Sequence, residues 1–237
     1  MASTERTPTY LERLPGEVQR SLLDSGPRRS FTRGAHLIRE GDDNDQVMLI
    51  TSGWAKIVTL SMNGEEVVLG LRGPGDLVGE IAALDGPDGT RSASVKALTN
   101  LEVVMITALR FVEFLSANPA GSLALLREPV QRLRDTSSRA VRHGTMDVRH
   151  HLAELLLDLS ARVDQPGPGR ATIDLGLTQA DLAGLLSCSR DSVAKALSQL
   201  RNEGLVETSR RSITVVSRSR LGRLDDGAAP ARRGHTG

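Results

Sequence analysis

The sequence predicts an α+β protein built in three successive parts: a jelly-roll-like β-roll, one long helix, and two short helices followed by a wing. Three observations carry this. From about Gly34 to Thr107, strand-length runs alternate with Gly- and Asp-rich turns every ten residues or so, the spacing of a compact all-β roll or barrel. Residues 121–143 place apolar or small side chains in alternating steps of three and four, the seam of a coiled coil. Residues 177–207 carry start and stop signals for two short helices. The expected divisions are 1–119 for the roll, 120–146 for the long helix and hinge, 147–220 for the winged helices, and 221–237 for a disordered tail.

The strand runs read AHLIRE, QVMLIT, WAKIVTL, EEVVLGL, SASVKAL and LEVVMIT. In MNGE, Asn63-Gly64 supplies the positive φ values of a tight hairpin turn. TALRFVEFLSANP reads as a short helix closed by Pro119. The stripe that follows, Leu123, Leu126, Val130, Leu133, Ser137 and Ala140, is narrow. An identical helix is its simplest partner; packing against the roll is the alternative. Ser137, with Thr136 beside it, stands where Leu or Ile belongs, which costs dimer stability unless the pair has another use. Pro129 removes a helix hydrogen bond at a cost of ~3 kcal/mol, so a kink or restart is expected there. His143-Gly144 makes a hinge, and 147–163 reads as another amphipathic helix before the loop DQPGPGR.

Composition narrows the function classes. The 237 residues are 39% hydrophobic and 25% charged, globular in character and sufficient for two domains. No apolar run approaches the ~18 residues of a membrane span, and MASTERTPTY lacks a leader pattern, so the cytoplasm is expected and a membrane is not. A single cysteine, Cys188, precludes an intrachain disulfide and a four-thiolate iron–sulfur site. The sequence shows no metal-ligand cluster, nucleophile elbow or Walker loop, so neither an enzyme nor a metal is expected. His150 and His151 are helix neighbours that face different ways and read as solvated. The net charge of +1 hides an asymmetry: residues 1–126 hold 12 basic against 16 acidic side chains, and 187–223 hold 8 against 3. A basic C-terminal surface of this kind suits a polyanion.

Thr178 and Asp181 form a capping box that opens a helix through Leu186. SCS is a turn, and a second helix runs from about Arg190 to Asn202, ended by Gly204. Ala183 is small at the crossing, and Leu182, Leu186, Val193 and Leu197 supply a core. GLVETSRRSITVV then gives two short strands around a polar tip. Two short helices, a tight turn and a wing indicate binding to double-stranded DNA, with the second helix in the major groove. Ser189, Arg190, Asp191, Ser192 and Lys195 stand on its first exposed turns, chemistry suited to base edges and phosphates. Arg201, Arg210 and Arg211 suit phosphate, and Thr178 and Gln179 complete the candidate DNA-facing set. With 2% aromatics, stacking on single strands is not expected.

The order of parts, with "GDLVGEIAALDGPDGTRSASVKA" and "CSRDSV" as its most specific stretches, resembles the cyclic-AMP receptor/fumarate–nitrate regulator (CRP/FNR) family of bacterial transcription factors over roughly residues 10–220. The first stretch looks like that family's phosphate-binding cassette. The resemblance implies that Gly79, Glu80, Arg91 and Ser92 hold the cyclic phosphate and ribose of cyclic AMP, with Ile81, Ala82 and Ala93 beside them. It also implies that Thr136 and Ser137 touch the adenine, that the protein is a homodimer, and that RNA polymerase is a partner. The chemistry agrees: Arg91 is a planar cation for a phosphodiester and Ser92 a hydroxyl donor, while Glu80 suits a ribose hydroxyl. Asp191 and Lys195 stand where the best-known members carry Glu and Arg, so their half-site preference does not carry over. Ser187 takes a turn position usually given to Gly, at a cost of up to ~1 kcal/mol if φ is positive. A sensor of another nucleotide and a ligand-independent DNA binder are the alternatives.

Overall fold

A computed structural model describes residues 8–43, 46–86, 89–127, 148–163 and 169–226. The expected seam positions Val130, Leu133, Ser137 and Ala140, together with Pro129, Thr136, the His143-Gly144 hinge and the DQPGPGR loop up to Pro168, lie outside the described residues.

Each expected strand run becomes a strand: β2 (His36–Ile38), β3 (Gln46–Ser52), β4 (Ala55–Leu60), β5 (Glu66–Arg72), β7 (Ser94–Ala97) and β8 (Leu101–Thr107). Two more join them, β1 (Arg28–Phe31) and β6 (Leu77–Val78). They form two four-stranded antiparallel sheets, ordered β1-β8-β3-β6 and β2-β7-β4-β5. Strand β3 explains its own composition. Met48 and Ile50 point into the roll against Val78, Val95 and Val103, while Val47 and Leu49 face the other way onto Tyr10, Leu22 and Phe111. A strand covered on both faces loses its polar alternation.

The helices that cover β3 are α1 (Gly16–Leu23), which follows a 3-10 turn, and α3 (Ala108–Ala117). The Thr107 side chain caps α3 by accepting from the Arg110 N–H, and a further helix, α4, runs over 119–127. The hairpin between β4 and β5 departs from the Asn63-Gly64 expectation. Gly64 alone takes positive φ, at +77°. Its N–H donates to the Ser61 carbonyl, and the Ser61 N–H donates to that of Glu65, a turn followed by a left-handed glycine instead of two left-handed residues.

The C-terminal part comprises α5 (Val148–Val163), β9 (Ala171–Ile173), α6 (Gln179–Leu186), α7 (Arg190–Asn202), β10 (Val206–Thr208), β11 (Ile213–Val215) and α8 (Arg218–Asp226). The wing has three strands, because β9 pairs with β11. Helix α8 corrects the expected end at 220: Leu221 is buried and Leu224 packs on the core, so the folded chain continues through the first residues of the presumed tail. The two histidines are corrected as well. His151 is buried, and His150 Nε2 lies 3.0 Å from the Leu224 carbonyl, because α8 covers this end of α5. Leu182, Leu186, Val193 and Leu197 form the expected core. That core does not stop at the winged part: Trp54, Val58, Val68 and Leu71 of the roll belong to it.

Candidate ligand site and nucleic-acid interface

Between the two sheets a cavity of about 340 Å³ opens at the cassette. Gly79, Glu80, Ile81, Ala82, Arg91, Ser92 and Ala93 line it, with Ile38, Ile57, Leu69, Arg72, Val78 and Val95. The first seven are the cassette residues singled out in the sequence; Thr136 and Ser137 lie outside the described residues. The backbone explains the grouping. Gly79 has φ +83° and precedes the short helix α2 (Glu80–Leu84). A Cβ at Gly79 would lie 2.6 Å from Arg91 Nη1 and 2.9 Å from the Gln46 carbonyl oxygen. Glycine is needed here for its conformation and for the space that the arginine takes. Arg91 is 3% exposed and donates to the carbonyls of Gly79 and Gln46, each at 2.6 Å. These bonds orient its guanidinium beside the start of α2.

Glu80 is half-buried. Burial pushes its carboxyl above the usual carboxylate range, and the opposing pull comes first from Arg72, then from its own N–H and Arg91. Two guanidinium groups and one carboxylate, with the Ser92 hydroxyl, therefore share a largely apolar cavity, a set that suits a ligand with one anionic group and hydroxyls. Arg72 was missed in the sequence. A β-bulge between Ile57 and Val58 inserts Leu69 as an extra residue of β5, which turns Arg72 to the face opposite that implied by counting in twos from Glu66 and Val68.

The second candidate surface is the outer face of α6, α7 and the wing. Thr178 accepts from the Asp181 N–H while the Asp181 carboxylate accepts from the Thr178 N–H, a complete capping box. Ser187 ends α6 with φ +52°, the sole non-glycine residue with positive φ among those described. Its N–H and that of Cys188 donate back to the carbonyls of Gly184 and Ala183, closing the turn. Ser189 caps α7 by accepting from the Ser192 N–H. Thr178, Gln179, Ser189, Arg190, Asp191, Lys195, Arg201, Arg210 and Arg211 are exposed, and Ser192 is half-buried. Arg201 donates to Thr208 Oγ1 at 3.2 Å, tying α7 to the wing. Among the described residues no three His, Cys, Asp or Glu side chains are grouped as metal ligands, and no helix is long and apolar enough to cross a membrane.

The two surfaces are joined through the β4–β5 hairpin. Lys56 Nζ donates to Asp181 Oδ1 at 2.8 Å and also pairs with Glu66. Burial alone would raise the Asp181 carboxyl, but hydrogen bonds from Lys56 and Thr178 hold it below its ordinary value. Arg162 of α5 pairs with Asp76 and stacks 4.8 Å from the Trp54 ring centroid. Gly184 of α6 rests on the backbone of β5, where a Cβ would stand 2.9 Å from both the N and the O of Val68.

Residues 28–118 match the cyclic nucleotide-binding domain family, and 150–224 the Crp-like helix-turn-helix domain family. A CRP-like cAMP-activated global transcriptional regulator of Mycobacterium tuberculosis is 30% identical over 193 residues, 81% of this chain and 85% of that one. Among solved structures, the c-di-GMP responsive global regulator CLP of Xanthomonas campestris aligns with a TM-score of 0.66 at 24% identity, over 85% of this chain and 99% of that one. A CRP/FNR family transcriptional regulator of Thermus thermophilus aligns with a TM-score of 0.66 at 21% identity, over 86% and 100%. These two structural likenesses speak to the fold.

Proposed function

The chain belongs to the CRP/FNR family of transcription regulators, not to a family of enzymes, and from that premise we propose that it is a cytoplasmic homodimer that binds cyclic AMP in the roll and double-stranded DNA through α7 and the wing. The observation that carries the reading is the convergence of seven cassette residues on one cavity holding a buried arginine and a glutamate. The name of the M. tuberculosis relative supports cyclic AMP as the nucleotide. Gly79, Glu80, Arg91 and Ser92 take the ribose and cyclic phosphate, with Ile81, Ala82 and Ala93 around them; Thr136 and Ser137 take the adenine. Leu123 and Leu126, 58% and 62% exposed in the single chain, support a helix seam covered by a second copy. Two copies would set their recognition helices one DNA turn, about 34 Å, apart. RNA polymerase is the expected further partner of a regulator that activates.

A ligand acts on this equilibrium only through unequal affinity for the two states. The test is therefore a band shift at fixed salt with and without cyclic AMP, together with calorimetric titration. Tighter DNA binding with the nucleotide supports the reading, whereas identical affinity would sink it in favour of a ligand-independent DNA binder. The name of the X. campestris neighbour gives a second reading, response to a cyclic dinucleotide, and the same titration with cyclic di-GMP and cyclic GMP separates it.

A further inference from the structure

One charged side chain of the cavity has no task in these assignments. Arg72 closes β5 and lines the cavity beside Ile57 and Leu69. It is 8% exposed, more than nine-tenths buried. Its Nη1 donates to the Leu71 carbonyl at 2.9 Å, while Nε and Nη2 are buried with no hydrogen-bond acceptor among the described residues. Leaving such donors unmade inside a protein is costly. The guanidinium lies back along β5 over Gly70, where a Cβ would stand 3.5 Å from Nη1. Glycine at 70 keeps that strip of strand clear.

Arg91 differs on both counts. Its terminal nitrogens already donate to two carbonyls, and it sits against Gly79 at the start of α2. Glu80, the first residue of α2, lines the same cavity as Arg72.

We propose that Arg72 is a ligand-contacting residue, and that its open edge and the Glu80 carboxylate together take one hydroxyl of the ligand's sugar, the ribose 2′-hydroxyl. A hydroxyl has one proton to donate and lone pairs to accept with, whereas a carboxylate only accepts and a guanidinium only donates. A hydroxyl placed between them satisfies both, and removing its oxygen strands both. Sites built in this way reject an analogue that lacks the group far more strongly than apolar sites reject a missing methylene. The inference rests on the cyclic-nucleotide reading of the cavity and adds to it a means of telling ribose from deoxyribose.

Calorimetry with cyclic AMP and its 2′-deoxy analogue tests it, on the wild-type chain and on Arg72→Leu and Arg72→Lys. The wild type should prefer the ribose form by at least about 100-fold. Arg72→Leu should lose about 10- to 100-fold in affinity for cyclic AMP while binding the deoxy analogue within about threefold of wild type. Arg72→Lys, which keeps a donor without the fork, should fall between them; if the leucine variant does not fold, this variant still shows a loss confined to the ribose ligand. Equal weakening of both ligands, or of neither, overturns the role of Arg72 and leaves the cyclic-nucleotide reading intact. A folded wild-type chain that binds neither ligand overturns both.

Discussion

The β4–β5 hairpin carries an ionic cluster on each face, and the two are built on opposite terms. On the outer face Lys56, Lys96, Glu66 and Asp181 close a circuit of two cations and two carboxylates in which every charge has an opposite partner. Lys56 is held above its ordinary value, because its hydrogen bonds to Asp181 and Glu66 outweigh the burial that alone would lower it. On the inner face Arg72, Arg91 and Glu80 share the cavity, and burial leaves the carboxyl of Glu80 raised. The first cluster is complete and fastens the winged part to the roll. The second has surplus positive charge and open donors, the condition of a site that a ligand completes. A closed circuit gives a chain its shape, and an open one gives it a ligand.

This contrast can be broken most forcefully at Arg91. Arg91→Ala removes the oriented cation of the open cluster, and cyclic AMP affinity should fall about 100- to 1,000-fold, the scale for losing one partner of a buried charge interaction. Calorimetry reads it, and a change below tenfold would place the phosphate elsewhere. Next comes Asp181→Ala in the closed cluster. It deletes the carboxylate half of the capping box and the Lys56 partner together, so urea unfolding should show about 3 kcal/mol of destabilisation. Trp54, the single tryptophan, lies in the shared core and should shift its emission. A loss of about 1 kcal/mol with unchanged emission would mean that only the cap mattered.

The two clusters should also answer acid with opposite signs. Asp181 has a depressed carboxyl, so its contribution is present above the ordinary carboxyl range, about pH 4, and is lost as pH falls through its folded value. The raised carboxyl of Glu80 contributes fully below about pH 4.3 and loses that contribution as pH rises through its folded value. Ligand-free Glu80→Gln should therefore match wild type in acid and exceed it at neutral pH, measured by denaturation at several pH values. A gain that is the same at every pH would deny that ionisation is the cause. The smallest effect is expected away from both clusters: Ser187→Gly relieves a left-handed serine, worth about 0.5–1 kcal/mol, or roughly 1–4 °C in Tm, with ligand affinity unchanged.

Local chemistry was readable in the sequence wherever one segment supplied its own signals. The capping box at Thr178, the SCS turn and the stop at Gly204 placed α6 and α7, and the turn spacing placed six strands, whereas the cap at Ser189 emerged only in the structure. Strand β1 escaped because RRSF is largely exposed and has no apolar alternation. Helix α8 escaped because Leu221 and Leu224 are isolated among Arg, Gly and Asp. The cassette residues were readable as a cluster, yet Arg72 was not, since one bulge reversed its face. The fastening of the two parts left no trace in any window, as Lys56 and Asp181 are 125 residues apart.

Gly184 has one more consequence. It rests on the peptide of Val68, whose side chain is buried in the shared core with Leu182 and Leu186, so the seat that α6 finds on the hairpin is made by backbone and by outward-facing side chains, not by those that face the cavity. Pocket-facing positions of the hairpin, Ile57, Leu69 and Arg72, are thereby free to change without moving that seat. A lineage can trade one signal molecule for another across the strand while the mechanical joint to its DNA reader is inherited unaltered.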